Sequence, residues 1–74
     1  MMIQGPEIRA GQLVRLPSWS YPLRVTGVEH EGSMTWLVGE FVGEGAPEGR
    51  RERVILPDMY VELAPDAGAG EVPA

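Results

Sequence analysis

Met34-Thr35-Trp36-Leu37-Val38-Gly39-Glu40-Phe41-Val42 is the most strand-like run in the chain, dense in β-branched and aromatic residues, and it decides the fold class. Alternation puts Met34, Trp36 and Val38 on one face and Leu37, Gly39 and Phe41 on the other. Both faces carry apolar groups, so the strand can bury one and offer the other to a partner.

Working outward, Glu31-Gly32-Ser33 reads as a tight hairpin connection back to Leu23–Glu31. That preceding run alternates through Leu23, Val25 and Gly27 and then places Val28 out of phase. A glycine at a phase break inside a strand indicates a β-bulge that bends it. Further upstream, Gln12 to Leu16 forms a short strand between Gly11 and Pro17, and Pro17 to Pro22 is a loop holding Trp19 and Tyr21. Downstream, Gly43 to Gly49 is expected to be a mobile loop. Arg50 to Arg53 then leads into Val54-Ile55-Leu56, Pro57-Asp58-Met59 can close a 3₁₀ turn, and Tyr60 to Leu63 is the last strand.

Ten glycines and seven prolines in 74 residues punctuate the chain so often that no window of a dozen residues is free of both. Helix interiors tolerate neither residue, so an all-α fold is excluded. The expectation is one all-β domain, a single five-stranded barrel over residues 11–63 with a 3₁₀ turn before the last strand. Strands are expected near 12–16, 23–31, 34–42, 51–56 and 60–63. The expected core is Leu13 or Val14 with Leu16, Val25, Val28, Leu37, Gly39, Phe41, Ile55 and Val61. Residues 1–10 hold only Ile3 and Ile8 as aliphatic anchors and read as a lead-in or a loose edge. Residues 64–74, rich in Ala, Gly, Pro and acids, read as a disordered tail.

Residues 34–63 carry a resemblance as well as a layout. Trp36-Leu37-Val38-Gly39-Glu40-Phe41, followed by Leu56-Pro57-Asp58-Met59-Tyr60-Val61-Glu62-Leu63, resembles the second half of an SH3 domain. The resemblance implies an SH3-like small barrel in which Trp36, Pro57 and Tyr60 form a groove for proline-rich peptides. The first half departs from the SH3 pattern. Gly11-Gln12-Leu13-Val14-Arg15 is instead similar to the opening of small bacterial SH3-like barrels of the KOW and Tudor type, which implies an association with nucleic acid.

Composition bounds the function. Eleven acids against six arginines give a net charge of −5, the wrong sign for a protein that lives by neutralising phosphates. The absence of cysteine removes disulfides, thiolate metal sites and thiol nucleophiles together. His30, alone between Glu29 and Glu31, has no second metal ligand in reach, so neither metal nor cofactor is expected. No apolar run approaches the ~20 residues that span a bilayer, and the N-terminus lacks a signal-type segment, so a cytoplasmic protein is expected. A filled small barrel leaves little room for the dehydrated site that acid–base catalysis needs, so the chain is expected not to be an enzyme.

Three functions are in view. The leading one is a non-catalytic interaction module in which Trp19, Tyr21, Trp36, Pro57 and Tyr60 form one aromatic surface. It would dock a protein or peptide, basic or proline-rich, against an acidic rim. The second is a nucleic-acid accessory using Arg50, Arg51 and Arg53 as phosphate contacts. The third is a structural subunit completed by homo-oligomerisation, with an outer strand pairing edge to edge.

Overall fold

A computed structural model of the protein describes residues 1–64. The expectation of a disordered tail falls, from residue 65 onward, outside the described residues. The chain runs β1 (Met2–Gln4), a 3₁₀ turn (Gly5–Glu7), β2 (Leu13–Arg15), β3 (Leu23–Glu31), β4 (Met34–Phe41), β5 (Arg51–Ile55) and β6 (Tyr60–Leu63). All six strands belong to one antiparallel sheet in the order β1-β6-β2-β3-β4-β5. Among the described residues there is no helix long and apolar enough to cross a membrane.

The all-β class therefore holds, but the closed five-stranded barrel does not. A sixth strand, β1, pairs along β6 with Ile3 opposite Val61, and among the described residues β1 and β5 are the unpaired edges. Residues 1–10 do not stand outside the fold. Ile3 and Ile8 are buried in one cluster with Val14, Leu23, Val25, Leu37, Ile55 and Val61. A three-residue strand ended by Gly5-Pro6 is too short to declare a period of two, which is why alternation does not reveal it.

The 3₁₀ turn that follows β1 seats on the core. A β-carbon at Gly5 would lie 2.6 Å from Thr35 Oγ1, so only glycine lets this turn settle over buried Thr35 and Ile55. The 3₁₀ turn expected at Pro57-Asp58-Met59 is instead a single β-turn, closed by the Met59 N–H donating to the Leu56 carbonyl at 3.0 Å. Proline at its second position presets the turn, and β6 begins before a further i→i+3 bond can extend it.

The β3–β4 hairpin follows the expected plan. Gly32 takes φ +63° and Ser33 does not, as a two-residue II′ turn requires. The register runs Glu31 opposite Met34 and Glu29 opposite Trp36 as far as Gly27 opposite Val38, then slips so that Val25 faces Gly39. Thr26 is the extra residue of the bulge, and its Oγ1 donates to the Val38 carbonyl at 3.1 Å. Across the slip Gly39 is pressed against the opposite strand, where a β-carbon would overlap the Arg24 carbonyl oxygen.

The core matches expectation at Val25, Leu37, Gly39, Ile55 and Val61, and takes both Leu13 and Val14. Leu16, Val28 and Phe41 only pack on its margin, while Leu23 is fully buried, because the bulge keeps Leu23 and Val25 in phase with the core and leaves Val28 nearer the sheet end. The Gly43–Gly49 connection, expected to be mobile, folds back on Tyr21. Its Ala46 N–H donates to the Gly43 carbonyl at 3.0 Å, and β-carbons at Gly43 or Gly45 would lie 3.0 Å from the Tyr21 ring or hydroxyl.

Candidate functional site

Strand alternation, anchored by the printed register, sorts the side chains of β3, β4 and β5 onto two faces. The inner face carries Val25, Val28, Thr35, Leu37, Gly39 and Ile55, together with Arg51 and Arg53 of β5. The outer face carries Glu29, Trp36, Val38, Glu52 and Val54. Trp36 is the aromatic residue of this outer face. It stands opposite Glu29 on one side and Val54 on the other, and it is 38% exposed, whereas the adjacent Leu37 is fully buried.

A groove of about 340 Å³ runs over this face, lined by Gly27, Glu29, Trp36, Val38, Arg50 and Glu52, with the inward-facing Val28 and Leu37 between them along the two strands. The missing side chain at Gly27 deepens it beside Val38. Two carboxylates, Glu29 opposite Trp36 and Glu52 opposite Val38, therefore share the groove with the indole. Arg50 Nη2 already sits 3.6 Å from Glu52 Oε2, with both side chains largely in solvent.

Trp19 and Tyr21 lie elsewhere. Trp19 meets Phe41 edge to face at 5.8 Å between ring centroids, and its carbonyl accepts from the Arg15 guanidinium at 2.9 Å. Tyr21 is held against the Gly43–Gly45 backbone. With Ser20, Phe41, Pro47 and Arg53 these two residues line a second, smaller cleft of about 270 Å³, and the Arg53 guanidinium lies over the Phe41 ring at 5.2 Å. Both rings plug the join between the Pro17–Pro22 and Gly43–Gly49 loops.

Pro57 and Tyr60 occupy a third place. Pro57 is exposed in the turn before β6, and Tyr60, 51% exposed, stands opposite Gln4 of β1. In the sheet order β2 and β3 separate β6 from β4, and no ring contact or shared cleft joins Tyr60 or Pro57 to Trp36 among the described residues. The five residues expected to make one aromatic surface thus fall into three groups.

The three arginines also separate. Arg50 lines the outer groove, while Arg51 and Arg53 alternate onto the inner side of β5. Arg51 Nη2 donates to the Glu48 carbonyl at 3.4 Å, and its Nε, shielded from solvent, has no hydrogen-bond partner among the described residues. Arg53 Nη1 donates to the Glu52 carbonyl at 2.7 Å. His30 Nδ1 lies 3.4 Å from Thr35 Oγ1, and among the described residues no three His, Asp or Glu side chains gather where they could hold a metal.

Glu29 and Glu52 are site residues that the sequence reading did not single out. Glu29 was within reach, since a two-residue turn at Gly32-Ser33 places it opposite Trp36 by counting alone. Glu52 was not, because the long glycine-rich connection leaves the β4–β5 register undetermined. In comparisons with known proteins no family model matches the chain, and no curated protein or solved structure matches it.

Proposed function

We propose that the protein is a non-catalytic interaction module that holds a basic side chain of a peptide or protein partner in the outer groove at Trp36. The observation that carries this reading is the partly exposed Trp36, which shares one groove on one sheet face with Glu29 and Glu52. An indole face attracts a guanidinium or ammonium through its quadrupole, by ~0.5–1 kcal/mol at exposed sites and more when water is excluded. Two carboxylates in the same groove add charge complementarity and set the orientation of the incoming cation. Arg50 supplies an internal precedent, since a guanidinium already rests beside Glu52. An exposed pair of this kind is worth only ~0–1 kcal/mol, so a partner can displace it.

An SH3-like kinship and a cytoplasmic setting belong to the same proposal. The first is supported by the β3–β4–β5 meander followed by the Pro57 turn and a final strand; a closed barrel is not part of it. The nucleic-acid reading asks Arg50, Arg51 and Arg53 for one surface, and the alternation of β5 divides them between two.

The test is a peptide carrying two arginines, titrated against the Trp19→Phe variant so that the emission reports Trp36 alone. A saturable change that weakens with salt and is lost in the Glu29→Gln, Glu52→Gln double variant is expected. Binding that survives the double variant, or an uncharged proline-rich peptide binding as well as the arginine peptide, would overturn the cation reading.

A further inference from the structure

The β5 edge carries a second feature, independent of the Trp36 groove. Among the described residues Arg51–Ile55 pairs with β4 on one side and with no strand on the other, so alternate N–H and C=O groups along it lack a strand partner there. Of the three inward side chains along that edge, Arg51, Arg53 and Ile55, the first two are cationic, and between them Glu52 points to the opposite face. Arg51 Nε is shielded and has no acceptor among the described residues. The Glu52 carbonyl is capped by the neighbouring Arg53 guanidinium rather than by a strand.

We infer that β5 accepts an added antiparallel strand from a partner protein, with carboxylate side chains at two alternate positions facing Arg51 and Arg53. Main-chain hydrogen bonds to β5 supply the affinity, and the alternating carboxylates supply the register. An incoming N–H takes over the Glu52 carbonyl and releases the Arg53 guanidinium to meet one carboxylate. A second carboxylate meets the Arg51 guanidinium.

A second copy of this chain is a poorer occupant of the same edge. A two-fold axis that continues the sheet faces across β5 sets residues of like parity opposite one another. Centred on Arg51, Glu52 or Arg53 it sets like charges opposite at the middle of the contact, which destabilises strand pairing, and centred on Val54 it sets Arg53 opposite Ile55 and Glu52 opposite Leu56. No register of β5 against itself offers a carboxylate to Arg51 and Arg53, as an acidic strand does.

The test uses the full chain and three nine-residue peptides of Thr and Val, with Glu-Thr-Glu, Gln-Thr-Gln or Lys-Thr-Lys at the centre. Binding is followed by amide hydrogen exchange and chemical shifts at Arg51–Ile55. The Glu-Thr-Glu peptide is expected to protect the β5 amides that do not bond to β4. The Gln-Thr-Gln peptide should bind roughly tenfold or more weakly, the low end of what removing one partner of a charged pair costs. Because the comparison lies in the peptides, it needs no variant of the partly buried arginines. The Arg51→Glu, Arg53→Glu double variant, where thermal unfolding shows it folded, should prefer the Lys-Thr-Lys peptide. Equal binding of all three peptides, no protection at β5, or stronger protection by a single-stranded oligonucleotide would overturn the inference. Loss of arginine-peptide binding at Trp36 would leave it standing.

Discussion

Replacing Ile8 by alanine should cost this small domain a large share of its stability. Ile8 is 1% exposed and packs in the main core cluster, although it lies in a segment that the sequence presents as a lead-in. The substitution removes three buried carbons, at ~0.8 kcal/mol each about 2.4 kcal/mol of transfer free energy. The cavity left behind raises this to about 3 kcal/mol, within the ~2–5 kcal/mol seen when core aliphatics are truncated. A domain of this length has a total stability of roughly 4–11 kcal/mol. At ~4–8 °C per kcal/mol the melting temperature should fall by roughly 12–24 °C. Urea denaturation followed by circular dichroism measures the loss directly as a shift of the midpoint at constant slope. A loss below ~1 kcal/mol, the size of an ordinary surface change, would refute the placement of the N-terminal segment in the core.

Three further outcomes are expected. Gly39→Ala drives a β-carbon into the Arg24 carbonyl, which is backbone and cannot yield cheaply; a loss at or above the top of the ~1–3 kcal/mol range for overpacking is expected in the same denaturation assay. Tyr21→Ala removes the ring that holds the Gly43–Gly45 backbone, so the Ala46 amide should exchange faster by NMR while global stability falls by no more than ~1–2 kcal/mol. Trp36→Thr removes the outer-face pair with Val54, worth ~0.2–1 kcal/mol, and should leave unfolding nearly unchanged while abolishing arginine-peptide binding; a loss near the ~3–5 kcal/mol of a core aromatic would assign Trp36 to the core instead.

The longest strands were legible because their signals are local. The bounds Leu23–Glu31 and Tyr60–Leu63 coincide with expectation, since alternation, the Gly32 turn and the Pro57 break all act within a few residues. The bulge was legible too, because Val28 falls out of phase after a glycine. What escaped was non-local. Strand β1 exists only through its pairing with β6, almost the whole described chain away, and Ile8 is buried only because Gly5 lets the 3₁₀ turn seat on Thr35. The site follows the same division. Alternation placed Trp36 on a face of its own and could have paired it with Glu29. Grouping Trp36 with Trp19, Tyr21, Pro57 and Tyr60 required a closed barrel, and the open sheet separates them. The run of arginines looked like one cluster in sequence and became two because β5 alternates.

The central claim is that the outer groove at Trp36 receives a cationic side chain. A ¹⁵N-labelled sample titrated with the two-arginine peptide tests it most directly, since every amide and both indole N–H groups report their own position. The account predicts saturable shifts confined to Gly27, Val28, Glu29, Leu37, Val38, Arg50, Glu52 and the amide and indole of Trp36, with the Trp19 indole unmoved. Shifts centred on the Trp19 indole and Tyr21, shifts centred on Pro57 and Tyr60, or no saturable shift at all would contradict it.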